Sequence, residues 1–276
     1  ASLDPLWSCL AVLGFSYAYL FAFQLDDCLS SLDRLPWCLR ASSTLQCLRA
    51  RVYYEKCDWQ RSSQIFARVR DHDPARIEDM DVYSSVLWHL RATVELAALS
   101  QDLLLRHPRA VETYITMGNC FSAHRNHERA IRCFRRAVQL DPANSYAYTL
   151  LGHEHMACED MPAATQAFQQ ALAHQTWHYN AFYGMGFLAL RQERPSQASV
   201  LLQRAIAIHP THPILLCLAA TVHVGQGDFT SALALLDSAE THAPNHPLVL
   251  FRRAALLTDM DRDEESLQVL RRLQDL

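Results

Sequence analysis

The sequence predicts an all-α fold, a solenoid of about eight helix-turn-helix repeats wound as a right-handed superhelix. Two observations predict it. Pro74, Pro108, Pro142, Pro210 and Pro244 are separated by 34, 34, 68 and 34 residues. Small residues stand at fixed offsets ahead of them: Gly118, Ala130 and Ala137 before Pro142, and Gly186, Ala198 and Ala205 before Pro210. Gly152, Ala164 and Ala171 repeat that spacing before Thr176, where the proline is missing. Self-similarity at this period marks stacked supersecondary units, each packed only on its neighbours.

Placing Gly118 at position 8 of its unit puts repeat starts at Cys9, Ser43, Ile77, Val111, Ser145, Tyr179, Pro213 and Pro247, one array over residues 1–276. Two helices of one hairpin approach closest at position 8, so that position is small, and a large residue at position 24 fills the space opposite. The first hairpin has Ser16, Cys28 and Leu32 at positions 8, 20 and 24; the second has Ala50, Ser62 and Phe66. The third keeps Ser84 but departs with Leu96 and Ser100. The fourth and fifth carry Gly118 with Phe134 and Gly152 with Phe168. Gly186 with Leu202, Ala220 with Leu236 and Ala254 with Leu270 complete the series, and the last repeat stops at position 30. Proline at position 32 ends the second helix and extends the link to the next hairpin. Pro213 and Pro247 fall at the first residue of a helix, where the missing N–H costs nothing. Pro162 and Pro195 fall in the first turn of second helices. A 34-residue unit with this pattern is the tetratricopeptide (TPR) signature.

Composition narrows the function. Apolar residues make up 50% and charged ones 20%, and the net charge is −4 with no basic block, which disfavours nucleic acid as a partner. Nine cysteines without a CxxC pair fit neither a disulfide framework nor a zinc site, so they read as small core residues in a reducing, cytosolic or nuclear compartment. Leu6–Leu25 is apolar but interrupted by Ser8, Ser16 and Gln24 and followed by Asp26 and Asp27, so it reads as a buried helix rather than a membrane span. His153-Glu154-His155 places its histidines two apart, not the four that would put both on one helical face, so no metal is expected there. No cofactor and no catalytic residue is expected. Lys56 is the only lysine beside 24 arginines, for which biased codon usage is the plain account.

Four stretches lie outside the generic repeat pattern: Tyr83 to Leu90 (YSSVLWHL), Gly118 to Ser122 (GNCFS), Tyr146 to Glu154 (YAYTLLGHE) and His178 to Gly186 (HYNAFYGMG). In order and spacing they resemble the third-subunit (BimA-type) TPR family of the anaphase-promoting complex, or cyclosome, over essentially the whole chain. The resemblance implies a non-catalytic scaffold of a cullin–RING ubiquitin ligase in cell-cycle control, nuclear and cytoplasmic. It implies partners among the other subunits, and capture of C-terminal Ile-Arg tails of WD40 coactivators and of a small jelly-roll substrate-recognition subunit. Family members dimerise through N-terminal repeats. This chain is expected to be a C-terminal TPR fragment that starts after them, so dimerisation is not carried over to it.

An Ile-Arg tail needs polar donors, an acidic fork for the guanidinium and an apolar pocket. Positions 2, 5, 9 and 12 of first helices are expected to face the concave side. From them come Asp81, Ser85, Glu112, Asn119, Ser122, Thr149, His153, Met156, Tyr183 and Phe187 as candidate tail-binding residues. Asn119 and Ser122 are the expected hydrogen-bond partners, Asp81 or Glu112 the guanidinium acceptor, and Tyr183, Phe187 and Met156 the pocket. Asn119 is equally open to satisfying a neighbouring hairpin, and Tyr183 and Phe187 to inter-repeat packing. A co-chaperone clamp for heat-shock tails is the alternative, disfavoured because Ile115 and Leu150 stand where its basic and amide residues belong. A glycosyltransferase arm would need a catalytic domain that these residues do not encode.

Overall fold

The computed structural model describes residues 4–276, all of whose regular structure is helical. The turn inside each hairpin is its most regular feature. Position 15 of all eight repeats is left-handed: Phe23, Cys57, Arg91, Arg125, Glu159, Glu193, Gly227 and Asp261, with φ from 55° to 78°. Only Gly227 is the residue this region favours; an L side chain there costs about 1–2 kcal/mol. The following residue caps the second helix. Asp58, Asn126, Asp160 and Asp228 each accept a backbone N–H three residues on, at 3.1 to 3.2 Å. Second helices of hairpins two to eight therefore all begin at position 17.

Residues up to His174 form one compact unit and residues from Gln175 a second. The first unit holds α1 (Asp4–Phe21), α2 (Leu25–Asp33), α3 (Trp37–Arg40), α4 (Ser43–Glu55), α5 (Trp59–His72), α6 (Met80–His89), α7 (Thr93–Arg106), α8 (Val111–Ala123), α9 (His127–Leu140), α10 (Ser145–Ala157) and α11 (Met161–His174). The second holds α12 (Tyr179–Arg191), α13 (Pro195–Ile208), α14 (Pro213–Gly225), α15 (Phe229–His242), α16 (Pro247–Asp259) and α17 (Asp263–Gln274). First helices of the second and the fourth to eighth hairpins start at the residues the 34-residue register names.

Close approach at position 8 explains the glycines. A Cβ on Gly118 would lie 2.3 Å from the Phe134 ring, and one on Gly152 2.6 Å from the Phe168 ring. Both rings are fully enclosed, so neither can swing away. The third hairpin exchanges volumes instead of losing them. Leu96 at position 20 is fully buried, and half-buried Ser100 takes the place of the knob at position 24.

Three expectations need correction. The segment from Leu6 forms a helix, but Leu6, Trp7, Leu10, Phe15 and Phe21 are exposed, because among the described residues nothing packs on that side of α1. Among the described residues no helix is long and apolar enough to cross a membrane. In the eighth hairpin Leu270 is 40% exposed and Val269 is the buried neighbour, since no later helix among the described residues closes over α17. The third hairpin starts its first helix late, at Met80. Asp79 takes a left-handed turn (φ 67°) there, with its carboxylate held by Arg51 at 3.2 Å and Arg76 at 3.7 Å. The cysteine reading is met only in part: Cys38 and Cys158 are exposed, Cys9 and Cys120 half-buried, and the other five buried.

Gly118→Ala is expected to lower stability by about 1–3 kcal/mol through overpacking against Phe134. Adding Phe134→Leu, which reproduces the Ala/Leu pairing of Ala220 and Leu236, is expected to recover most of that loss in a denaturation double-mutant cycle. Gly227→Ala is expected to cost about 1 kcal/mol, because its φ of 78° penalises any Cβ.

Candidate peptide-binding face

First helices of the first unit carry a chain of hydrogen bonds. Ser84 Oγ and Ser85 Oγ both donate to the Asp81 carbonyl, at 2.6 and 3.2 Å. Because both hydroxyl protons are spent there, the Asn119 amide must face them with its nitrogen, and Nδ2 donates at 2.8 and 3.0 Å. Tyr146 Oη is hydrogen-bonded to Ser85 Oγ, and Tyr54 donates to Tyr146. Burial pushes the Tyr146 phenol up to about 12, its hydrogen bonds with Ser85 and Tyr54 pulling the other way, and it raises Tyr54 as well. Both phenols stay protonated, as the chain requires.

A second chain ties three hairpins together. Trp88 Nε1 donates to Ser122 Oγ at 3.1 Å, and Ser122 donates to Glu154 Oε1 at 2.5 Å. Glu154 Oε2 meets His127 Nδ1 at 2.8 Å. Serine, carboxylate and histidine thus stand together with the carboxylate in the middle. Nucleophile activation needs the imidazole between the other two, so this arrangement positions helices and does not make a base-activated serine.

The acidic corner beside the first chain is chemically the most unusual part. Asp81 is half-buried; desolvation raises its carboxyl to about 6, the Val82 backbone hydrogen bond and Arg51 lower it, and Asp79 and Glu112 raise it further. A guanidinium arriving there would relieve that penalty. Asp81, Glu112, Ser85 and Asn119 are brought together as the register expected. Asn119 is only 4% exposed with its amide nitrogen occupied, so its carbonyl oxygen is the atom left for a ligand. Ser122 is engaged at both its donor and its acceptor functions. Thr149 is buried and turns its hydroxyl to the Ser145 and Tyr146 carbonyls, at 2.9 Å each.

Positions 9 and 12 therefore lie deeper than expected, as the burial of Ser85, Asn119, Ser122 and Met156 shows. His153 packs edge-on against Phe168, with ring centroids 5.2 Å apart. Tyr183 and Phe187 are half-buried residues of the second unit; burial raises the Tyr183 phenol. Sequence reasoning missed Tyr54, Tyr146 and Arg51 as members of the cluster. Tyr54 stands at position 12 of the second hairpin, equivalent to Trp88 and Ser122, so extending the register one repeat back would have found it. Among the described residues no three of His, Cys, Asp and Glu converge as a metal site.

The fold and its 34-residue period together define a tetratricopeptide-repeat protein. Models of the tetratricopeptide repeat match residues 111–144 and 217–276. The chain is 32% identical over 98% of its length to anaphase-promoting complex subunit 3 of Schizosaccharomyces pombe, covering 41% of that protein. It is 34% identical over 73% of its length to the protein bimA of Emericella nidulans, covering 25% of it. Against cell division cycle protein 27 homolog B of Arabidopsis thaliana it is 31% identical over 90% of its length, covering 33%. The chain belongs to this subunit 3/CDC27/bimA family and fits a CDC27-type tetratricopeptide fragment. It spans less than half the length of these relatives.

The folded chain holds the Asp81 proton more tightly than the unfolded chain does. The stability this group contributes is complete below the ordinary carboxyl range and is lost as pH rises through about 6. Asp81→Asn is therefore expected to raise the Tm at pH 7.5, with the gain vanishing near pH 4, in paired thermal melts. Asn119→Ala is expected to cost about 1–2 kcal/mol, because it strands two buried serine oxygens.

Proposed function

We propose that this chain is a non-catalytic scaffold segment of an anaphase-promoting-complex ubiquitin ligase, acting in cell-cycle control in nucleus and cytoplasm. Its partners are other subunits of that complex and proteins ending in Ile-Arg, the WD40 coactivators and the jelly-roll subunit. The observation that carries the reading is the 32% identity to subunit 3 across 98% of the chain. The acidic corner of the first unit supports the tail-binding part. Asp81 and Glu112 offer the tail arginine a desolvated carboxylate fork, where charge-assisted bonds are strong. Arg51 offers the terminal carboxylate a cation, and the Asn119 carbonyl offers an acceptor. Met156, in the same unit, is the residue assigned to the isoleucine.

A clamp for carboxylate-ended heat-shock tails is disfavoured on charge, since acids dominate where that clamp needs cations. Nucleic acid and membrane play no part in the reading.

Titration with a peptide ending in Ile-Arg tests the assignment. Wild-type chain is expected to bind it, and Asp81→Ala to weaken binding at least tenfold. Affinity is expected to fall as pH drops below about 6, because Asp81 must be ionised to hold a cation, and Asp81→Asn is expected to abolish that pH dependence. Equal affinity in wild type and Asp81→Ala would remove the tail-binding role. Failure of the full-length protein to co-purify with other ligase subunits would remove the scaffold role.

A further inference from the structure

The fourth hairpin carries an exposed arginine stripe that the peptide-binding face does not use. Arg125, Arg129, Arg132, Arg135 and Arg136 are all exposed, and Glu128 is the only acid among them. At 100° per residue, Arg129, Arg132 and Arg136 fall within about 60° of one another on α9 and span about 10 Å of its length. Arg125 stands in the turn just before them. Elsewhere in the chain arginines meet carboxylates: Arg49 with Asp33, Arg70 with Asp102, Arg253 with Asp237 and Glu240. Here Arg125, Arg129, Arg135 and Arg136 pair with no carboxylate among the described residues. Arg132 reaches Glu128 only at 3.9 Å across an exposed surface, a contact worth little.

Two of these guanidinium groups are also held in place. Arg129 lies over the Phe121 ring, 5.7 Å from its centroid, and Arg136 over Tyr114, at 6.0 Å. These contacts recur at fixed repeat positions. Arg61 lies over Tyr53 at the same pair of positions as Arg129 and Phe121, and Arg204 over Phe182 at the same pair as Arg136 and Tyr114. The fourth hairpin is the one in which both pairs occur. A ring takes the flat face of a guanidinium and leaves its N–H edge for a carboxylate, with little entropy left to lose; on Arg136 the Gln139 side chain already accepts one N–H, at 3.2 Å.

We infer that this stripe is a docking surface for an acidic helical segment of a partner protein, with carboxylates at i, i+3 or i+4, and i+7. Three features favour a polypeptide over a nucleic acid. The whole chain carries −4, which repels an extended polyanion. Cations are confined to a single helix, whereas nucleic-acid binding gathers many phosphate contacts. The outer helices of the adjacent hairpins add no free cations: α11 has no Lys or Arg, and Arg106 on α7 is bound to Asp102 at 2.7 Å. The helical spacing of the arginines matches the 5–6 Å between side chains three or four apart on a facing helix.

The test uses the full chain and a labelled 14-residue Glu/Ala helical peptide with glutamates at i, i+4, i+7 and i+11, followed by fluorescence anisotropy. Wild-type chain is expected to bind it, with affinity falling steeply between 50 and 200 mM salt (about these values, as for other charge-driven contacts). The triple variant R129E/R132E/R136E is expected to lose at least tenfold in affinity, with an unchanged far-UV CD spectrum. R129K/R132K/R136K, which keeps the charge but loses the planar fork, is expected to fall between. Asp81→Asn, in the tail-binding corner, is expected to leave the affinity as it was. Equal binding by wild type and the Glu variant, no binding by wild type at low salt, or tighter binding of a dT oligonucleotide of the same length would each overturn the proposal.

Discussion

The whole arrangement depends on how near two helices of one hairpin can come. Where position 8 is glycine, a large side chain from the second helix rests directly on the backbone of the first, as Phe134 does on Gly118 and Leu202 on Gly186. That contact fixes the depth of the hairpin, and with it the faces that the first helices present to their neighbours. Alanine at position 8 with leucine at 24 solves the same packing problem with different parts. What recurs along the array is a small residue facing a large one, and the third hairpin moves its bulk to Leu96. Its position 8 can then hold Ser84, a hydroxyl that the neighbouring Asn119 reaches.

Polar chemistry in the first unit is built on that freedom. Two serines, an asparagine and two tyrosines form a connected chain of hydrogen bonds that ends on the Asp81 carbonyl. Such a chain is expensive to bury unless every member is satisfied, and here the donors are accounted for. The least compensated part of the cluster is the Asp81 carboxyl, desolvated and crowded by Asp79 and Glu112, and relieved only in part by the Val82 backbone hydrogen bond and Arg51. A rigid, saturated wall beside one under-compensated charge is the combination that favours a cationic ligand over water. Saturation also explains why several residues of the first helices serve the wall rather than the ligand. Ser122, Thr149 and the Asn119 nitrogen already have partners within the chain.

The fold was legible in the sequence because its period is carried by steric necessities: small at 8, large at 24, proline at 32. Helix starts at Ser43, Val111, Ser145, Tyr179, Pro213 and Pro247 follow from that pattern alone. The left-handed turn at position 15 was not legible, because glycine marks it in one repeat of eight and phenylalanine, cysteine, arginine, glutamate or aspartate occupies it elsewhere. The caps beside it, Asp58, Asn126, Asp160 and Asp228, stand multiples of 34 apart and so belong to the same period. In the polar cluster, periodicity placed Asp81, Glu112, Ser85 and Asn119 on first helices, but it did not give their depth. Whether position 9 faces solvent or a neighbouring helix depends on the angle between hairpins, and a periodic pattern in one chain does not encode that angle.

The recurring arginine-over-ring pairs have a consequence for how such an array changes over time. Each pair joins an outer position of a second helix to an aromatic on the first helix of the same hairpin, and leaves the knob-and-glycine packing between the helices untouched. A hairpin can gain or lose surface charge at those two slots without renegotiating its interior. The repeats then behave like a rack of interchangeable plates, each able to carry its own label while the rail beneath stays the same.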